Sequence, residues 1–166
     1  MHPIFAHMNL DKLRILAAGS YTVVFTDDTL VMKIGLIEEK QPKMIKYAHM
    51  HGFSVPMIAY ERYVKIPQFI QDMIANDDYY QNGSIMTDPD RIITYVLNNC
   101  ADVMIVGLAV PFLNPTKHYT ASSIQRAYAI AEHVQMNYEC LTRGYWMDAH
   151  PYNLAKYNGN LVIIDF

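Results

Sequence analysis

Apolar and polar positions are patterned most clearly in two short runs near the start of the chain. Residues 21–26 and 30–34 are rich in Val, Thr, Tyr and Phe, with Asp27-Asp28-Thr29 between them. β-Branched and aromatic side chains fit a pleated, half-buried surface, and acidic residues in the gap fit a tight turn, so the pair predicts a β-hairpin. Residues 9–16 form a mixed segment leading into Ala17-Ala18-Gly19-Ser20, and Gly35 breaks the strand pattern on the far side. From about 42 to 51 the spacing of Met44, Ile45 and Ala48 is helical, with Gly52 as a C-terminal stop. Residues 55–66 read as one or two strands marked by Pro56 and Pro67, and a helix is expected over 68–75.

A polar stretch from Asn76 to Thr87 follows, and then Asp88-Pro89 sets an N-cap side chain before proline at the first helical position. That helix should run to about Asn99. Residues 103–113 are almost continuously apolar and read as a buried strand, although a helix would carry the same run. The strongest helical pattern covers 120–142. It sets Ile124, Ala127, Tyr128, Ala131, Val134, Tyr138 and Leu141 on one face, and Gly144 closes it. Asn158-Gly159 then joins two short strands, roughly 154–157 and 161–164. Strands first, helices later and a hairpin last predict an α+β fold. One domain over 1–166 is expected, with a sheet and one helix in 1–66 and a helical part in 67–166.

Composition narrows the class of partner. A chain of 166 residues that is 52% apolar can bury a core without metal or disulfide support. Its net charge of −3 provides no basic footprint for nucleic acid. Cys100 and Cys140 stand alone, as suits a reducing compartment. No basic-then-apolar leader begins the chain, and Pro111 interrupts its longest apolar run, which falls short of the roughly 20 residues that span a bilayer. The expectation is a soluble cytoplasmic protein that engages neither membrane nor nucleic acid.

The chemistry-bearing residues concentrate at the two ends. Asp148-Ala149-His150-Pro151-Tyr152-Asn153 is followed, twelve residues after Asn153, by Asp165. Phosphoryl transfer needs charge neutralisation on phosphates, a metal bridge, and a carboxylate that orients the attacking hydroxyl. Asp148 and Asn153 on one loop let an acid face an acceptor while an amide oxygen faces a metal. The Asn158-Gly159 hairpin can return Asp165 to Asn153, offering Mg²⁺ the hard oxygen ligands it prefers. Near the other end, Lys33 lies in Val31-Met32-Lys33-Ile34, where a strand-borne lysine can reach phosphates as a point charge.

These segments resemble the protein-kinase-like superfamily. The D-x-H-x-x-N loop, hairpin and Ile163-Ile164-Asp165-Phe166 are similar to the catalytic loop and metal-binding turn of aminoglycoside kinases, choline kinases and atypical protein kinases. The stretch from Leu16 to Phe25 resembles the phosphate-covering hairpin, with Gly19 as its one retained glycine, and Val31 to Ile34 resembles the lysine-bearing third strand. The order of the pieces also resembles early protein kinases of short-tailed bacteriophages. The resemblance implies a reduced, C-terminally truncated kinase-like fold that uses ATP and Mg²⁺. Asp148 would then be the catalytic base and Lys33 the phosphate-holding lysine. Gly19, Ser20 and Glu39 would serve the nucleotide, Asn153 and Asp165 the metal, and His150 the shape of the loop. A host protein would be the substrate or target.

The departures from the pattern matter equally. The predicted helix at 42–51 has no acid of its own, so the partner of Lys33 would be Glu39 just before it, with Glu38 and Glu61 as other options. Met147 replaces the arginine that answers activation-loop phosphorylation in many kinases, and the resemblance ends at Asp165-Phe166. A kinase-fold protein that binds and inhibits a host protein without transfer is therefore the alternative expectation, and a small-molecule kinase a third. His49 and His51, two residues apart, diverge on a helix and make a poor metal pair.

Overall fold

The computed structural model describes residues 1–18, 21–76, 100–113, 117–142 and 149–164. The helix expected over 88–99 lies outside them. Among the described residues the chain is mixed α+β, with an antiparallel five-stranded sheet, a small three-stranded sheet and three α-helices. It forms two compact units, one of residues 1–39 and 57–108, the other of 40–56 and 109–166.

In the first unit the strands are β1 (Arg14–Ala18), β2 (Thr22–Thr26), β3 (Leu30–Gly35), β4 (Met57–Val64) and β5 (Ala101–Gly107), in the order β1-β2-β3-β5-β4. Every neighbouring pair is antiparallel. Alternate residues face opposite sides of a strand, so Val23, Phe25, Met32, Ile34, Val103 and Ile105 share one face. Ile70 and Ile74 of helix α2 (Gln68–Ala75) pack on that face with Ile4, Phe5 and Met8 of the N-terminal segment. The mixed segment at 9–16 resolves into a 3-10 turn, Leu10–Lys12, and most of β1.

Two backbone devices set the β2–β3 hairpin. At its turn, Asp27 accepts hydrogen bonds at Oδ1 from the backbone N–H groups of Thr29 and Leu30 and from the Thr29 hydroxyl, and at Oδ2 from Asn9 N–H. Burial pushes the Asp27 carboxyl up, but these hydrogen bonds to its charged form outweigh it and hold it well below the usual carboxylate range. At the far end, Gly35 has φ +151°, and a Cβ there would overlap the Tyr21 carbonyl oxygen. β4 is less regular, with register shifts between Met57 and Ala59 and between Glu61 and Val64. At the second shift Tyr63 takes a left-handed φ of 56°. Asp102 on β5 accepts from Tyr63 N–H at 3.3 Å and lies 3.7 Å from the Arg62 guanidinium.

The second unit holds α1 (Lys40–Met50), α3 (Ala121–Thr142) and the sheet β6-β7-β8, whose strands are Val110–Pro111, Leu154–Tyr157 and Asn160–Ile163. The apolar run at 103–113 is thus two strands, β5 and β6, in different units. α1 ends where Gly52 enters the left-handed region at φ +79°. Gly52 N–H then bonds to His49 and Phe53 N–H to Ala48, closing the helix with two nested bonds. Ala48, Ala131, Val134, Tyr138, Leu154 and Ile163 form the core of this unit. Ala127, Ala131, Val134 and Tyr138 of the expected α3 stripe are buried, Ile124 is partly buried, and Tyr128 is 47% exposed. No helix among the described residues is long and apolar enough to cross a membrane.

Two measurements test this account of the hairpin. Gly35→Ala should cost about 2–3 kcal/mol in urea unfolding, because neither the backbone angle nor the space admits a side chain. For Asp27 the folded pKa lies below the unfolded value of about 3.9, so its stabilisation is present above that value and is lost as pH falls toward the folded pKa. Asp27→Asn should therefore cost about 1–3 kcal/mol at pH 7, with the gap to the wild type closing below about pH 4. A gap independent of pH would remove the charge from the explanation.

Candidate functional site

Lys33 occupies the third position from either edge of the larger sheet. Met32 and Ile34 face the core, so Lys33 faces the opposite side. The register sets Val24 opposite it on β2 and Met104 opposite it on β5, and Met104 in turn faces Tyr60 on β4. Paired residues share a face, so Val24, Lys33, Met104 and Tyr60 form one row across four strands. Val31 and Val106, another paired couple, lie on the same face. Lys33 is therefore half-buried on a sheet face that it shares with Val24, Val31, Met104 and Val106.

Tyr60 is the residue that sequence reasoning missed. Its hydroxyl is buried and makes no hydrogen bond among the described residues. Burial raises the Tyr60 pKa, as does the charge of Asp102; Arg62 acts against this, and Glu39 adds to it. Glu39 is exposed and precedes α1 instead of lying in it. Only the strand pairing, which no local pattern encodes, puts Tyr60 in the row of Lys33.

In the second unit, Pro151–Asn153 forms a 3-10 turn directly before β7. His150 caps it: Nδ1 accepts the Tyr152 N–H at 3.3 Å, and the His150 carbonyl accepts the Asn153 N–H at 2.8 Å. The His150 ring stacks on Tyr152 at 5.5 Å and meets Tyr128 edge-on at 5.8 Å, which gives the exposed Tyr128 a role outside the core. Asn158, with φ 49°, and Gly159, with φ +82°, form the hairpin turn. The hairpin brings Ile164 back to Asn153, whose carbonyl accepts the Ile164 N–H at 2.9 Å.

Of the sequence-predicted site residues, Lys33 and Glu39 belong to the first unit and Asn153 to the second. Gly19, Ser20, Asp148 and Asp165 lie outside the described residues. Among the described residues no three His, Cys, Asp or Glu side chains gather to hold a metal ion. His49 has a structural part, donating from Nδ1 to the Ser54 carbonyl at 2.9 Å. Comparison with protein-family models, with curated proteins and with solved structures gave no match.

Because a buried hydroxyl without a partner costs stability, Tyr60→Phe should leave the protein unchanged or up to about 1 kcal/mol more stable. Chemical denaturation of both proteins measures this, and a clear loss of stability would show that the hydroxyl is bonded in solution.

Proposed function

We propose that the chain is a reduced protein-kinase-like phosphotransferase that moves a phosphoryl group from ATP, with Mg²⁺, to a Ser or Thr hydroxyl of another protein. The observation that carries this reading is the strand order β1-β2-β3-β5-β4 with Lys33 on the middle strand. α1 follows β3 directly, and the tight β7–β8 hairpin separates Asn153 from Asp165, as the resemblance implies.

The residues suit both groups. An apolar floor of Val24, Val31, Met104 and Val106 suits the flat face of a base, and an ammonium group beside it suits phosphate oxygens. Asn153 offers a hard amide oxygen, and its carbonyl accepts the N–H of Ile164, the residue before Asp165 in the sequence. Bound magnesium would neutralise phosphate charge and polarise the transferring group. Lys33 would hold the phosphates, and the backbone at Gly19 and Ser20 would cover them. Glu39 would orient the Lys33 amine. Asp148 would align the acceptor hydroxyl and take its proton, while Asn153 and Asp165 would hold the ion. By the same resemblance, to early bacteriophage kinases, the acceptor is a host protein.

A second reading, a kinase-fold protein that binds and inhibits a partner without transfer, is favoured by the position of Glu39 outside α1. Labelled ATP separates the two. The wild type should label a protein acceptor in lysate, and Asp148→Ala should lower the rate about 10²–10⁴-fold with ATP affinity unchanged. Equal rates would remove Asp148 from its role, and ATP binding without transfer by the wild type would support the second reading.

A further inference from the structure

The chain is acidic overall, with net charge −3, yet α1 carries Lys40, Lys43 and Lys46, and no Asp or Glu occurs anywhere over 40–60. Pro42, Ile45 and Ala48 are buried, so the inward stripe of the helix is fixed. Lys43, Lys46, Tyr47 and Met50 project from the other side and are exposed. Met50 is 80% exposed and Tyr47 39%, and the Tyr47 ring packs against His51 at 4.6 Å between centroids. Cationic side chains interleaved with uncovered apolar ones are unlike a merely solvated face. On α2 the exposed polar pair is Gln68 with Asp72, and the exposed residues of α3 include the acid Glu132.

From this we propose that the exposed face of α1 docks an acidic segment of another protein, one with apolar side chains set among its carboxylates. Charge complementarity draws the segment in, and Met50 and Tyr47 offer it apolar contact. A nucleic acid fits less well, because its closely spaced phosphates would meet the net negative charge of the whole chain. A lipid surface also fits less well, because the apolar stripe that would enter it is already turned into the protein. The docking is independent of phosphoryl transfer.

The test is fluorescence anisotropy with a labelled synthetic peptide of glutamates interspersed with leucine and phenylalanine. A control peptide replaces the apolar positions with serine, and phosphatidylserine vesicles and duplex DNA form two further arms. The wild-type chain should bind the first peptide saturably, more tightly than the serine control and more tightly than vesicles or DNA. Lys43→Glu with Lys46→Glu should weaken binding about tenfold or more. Lys43→Gln with Lys46→Gln, which avoids charge reversal and so guards against misfolding, should weaken it by a smaller factor in the same direction. Met50→Ser should weaken the apolar peptide alone. Absence of saturable binding, binding that both lysine pairs leave unchanged, or tighter binding to vesicles or DNA would overturn the proposal.

Discussion

The register of β3 between β2 and β5 is the constraint on which the first unit depends. With Met32 opposite Phe25 and Ile105, and Ile34 opposite Val23 and Val103, the core side of the sheet is continuous. A slip of one residue would turn Lys33 into the cluster of Phe5, Phe25 and Ile70. Burying an unpaired ammonium group there is far costlier than any local turn preference. The hairpin is held at both ends against that slip, by the bonded carboxylate of Asp27 and by the close approach of Gly35 to Tyr21. The features that stabilise the sheet therefore also set Lys33 on the face opposite that core.

The second unit solves a related problem with a smaller core. Its ordering comes from backbone closures: Gly52 after α1, the 3-10 turn under His150, and Asn158-Gly159 between β7 and β8. The carbonyl of Asn153 and the N–H of Ile164 close the base of the hairpin. Such closures fix a backbone that a short loop alone would leave spread over many conformations.

Much of this was legible in the chain itself, because the signals are local. The turn at Asp27-Asp28, the stop at Gly52, the helix at 68–75 and the Asn-Gly hairpin follow from residues whose backbone preferences are strong. Ala127, Ala131, Val134 and Tyr138 follow from period alone. What escaped is long-range. β1 is a strand because β2 covers its edge, as the weak pattern of Arg14–Ala18 does not announce. The N-terminal Ile4, Phe5 and Met8 belong to the core only through the sheet they meet. The 103–113 run divides at Leu108 and Ala109 although its hydropathy barely changes. Tyr128 has the spacing of a core residue yet faces His150. The strand position of Lys33 was readable, whereas Tyr60 and Asp102 share its face only through the pairing of β5 with β3 and β4.

The central claim is that Lys33 forms one side of a nucleotide site, and isothermal titration with ATP and Mg²⁺ addresses it most directly. The wild type should bind saturably, and Lys33→Met, which keeps length and apolar bulk but removes the charge, should bind at least about tenfold more weakly. Equal affinity in the two proteins, or no binding by either, would contradict it.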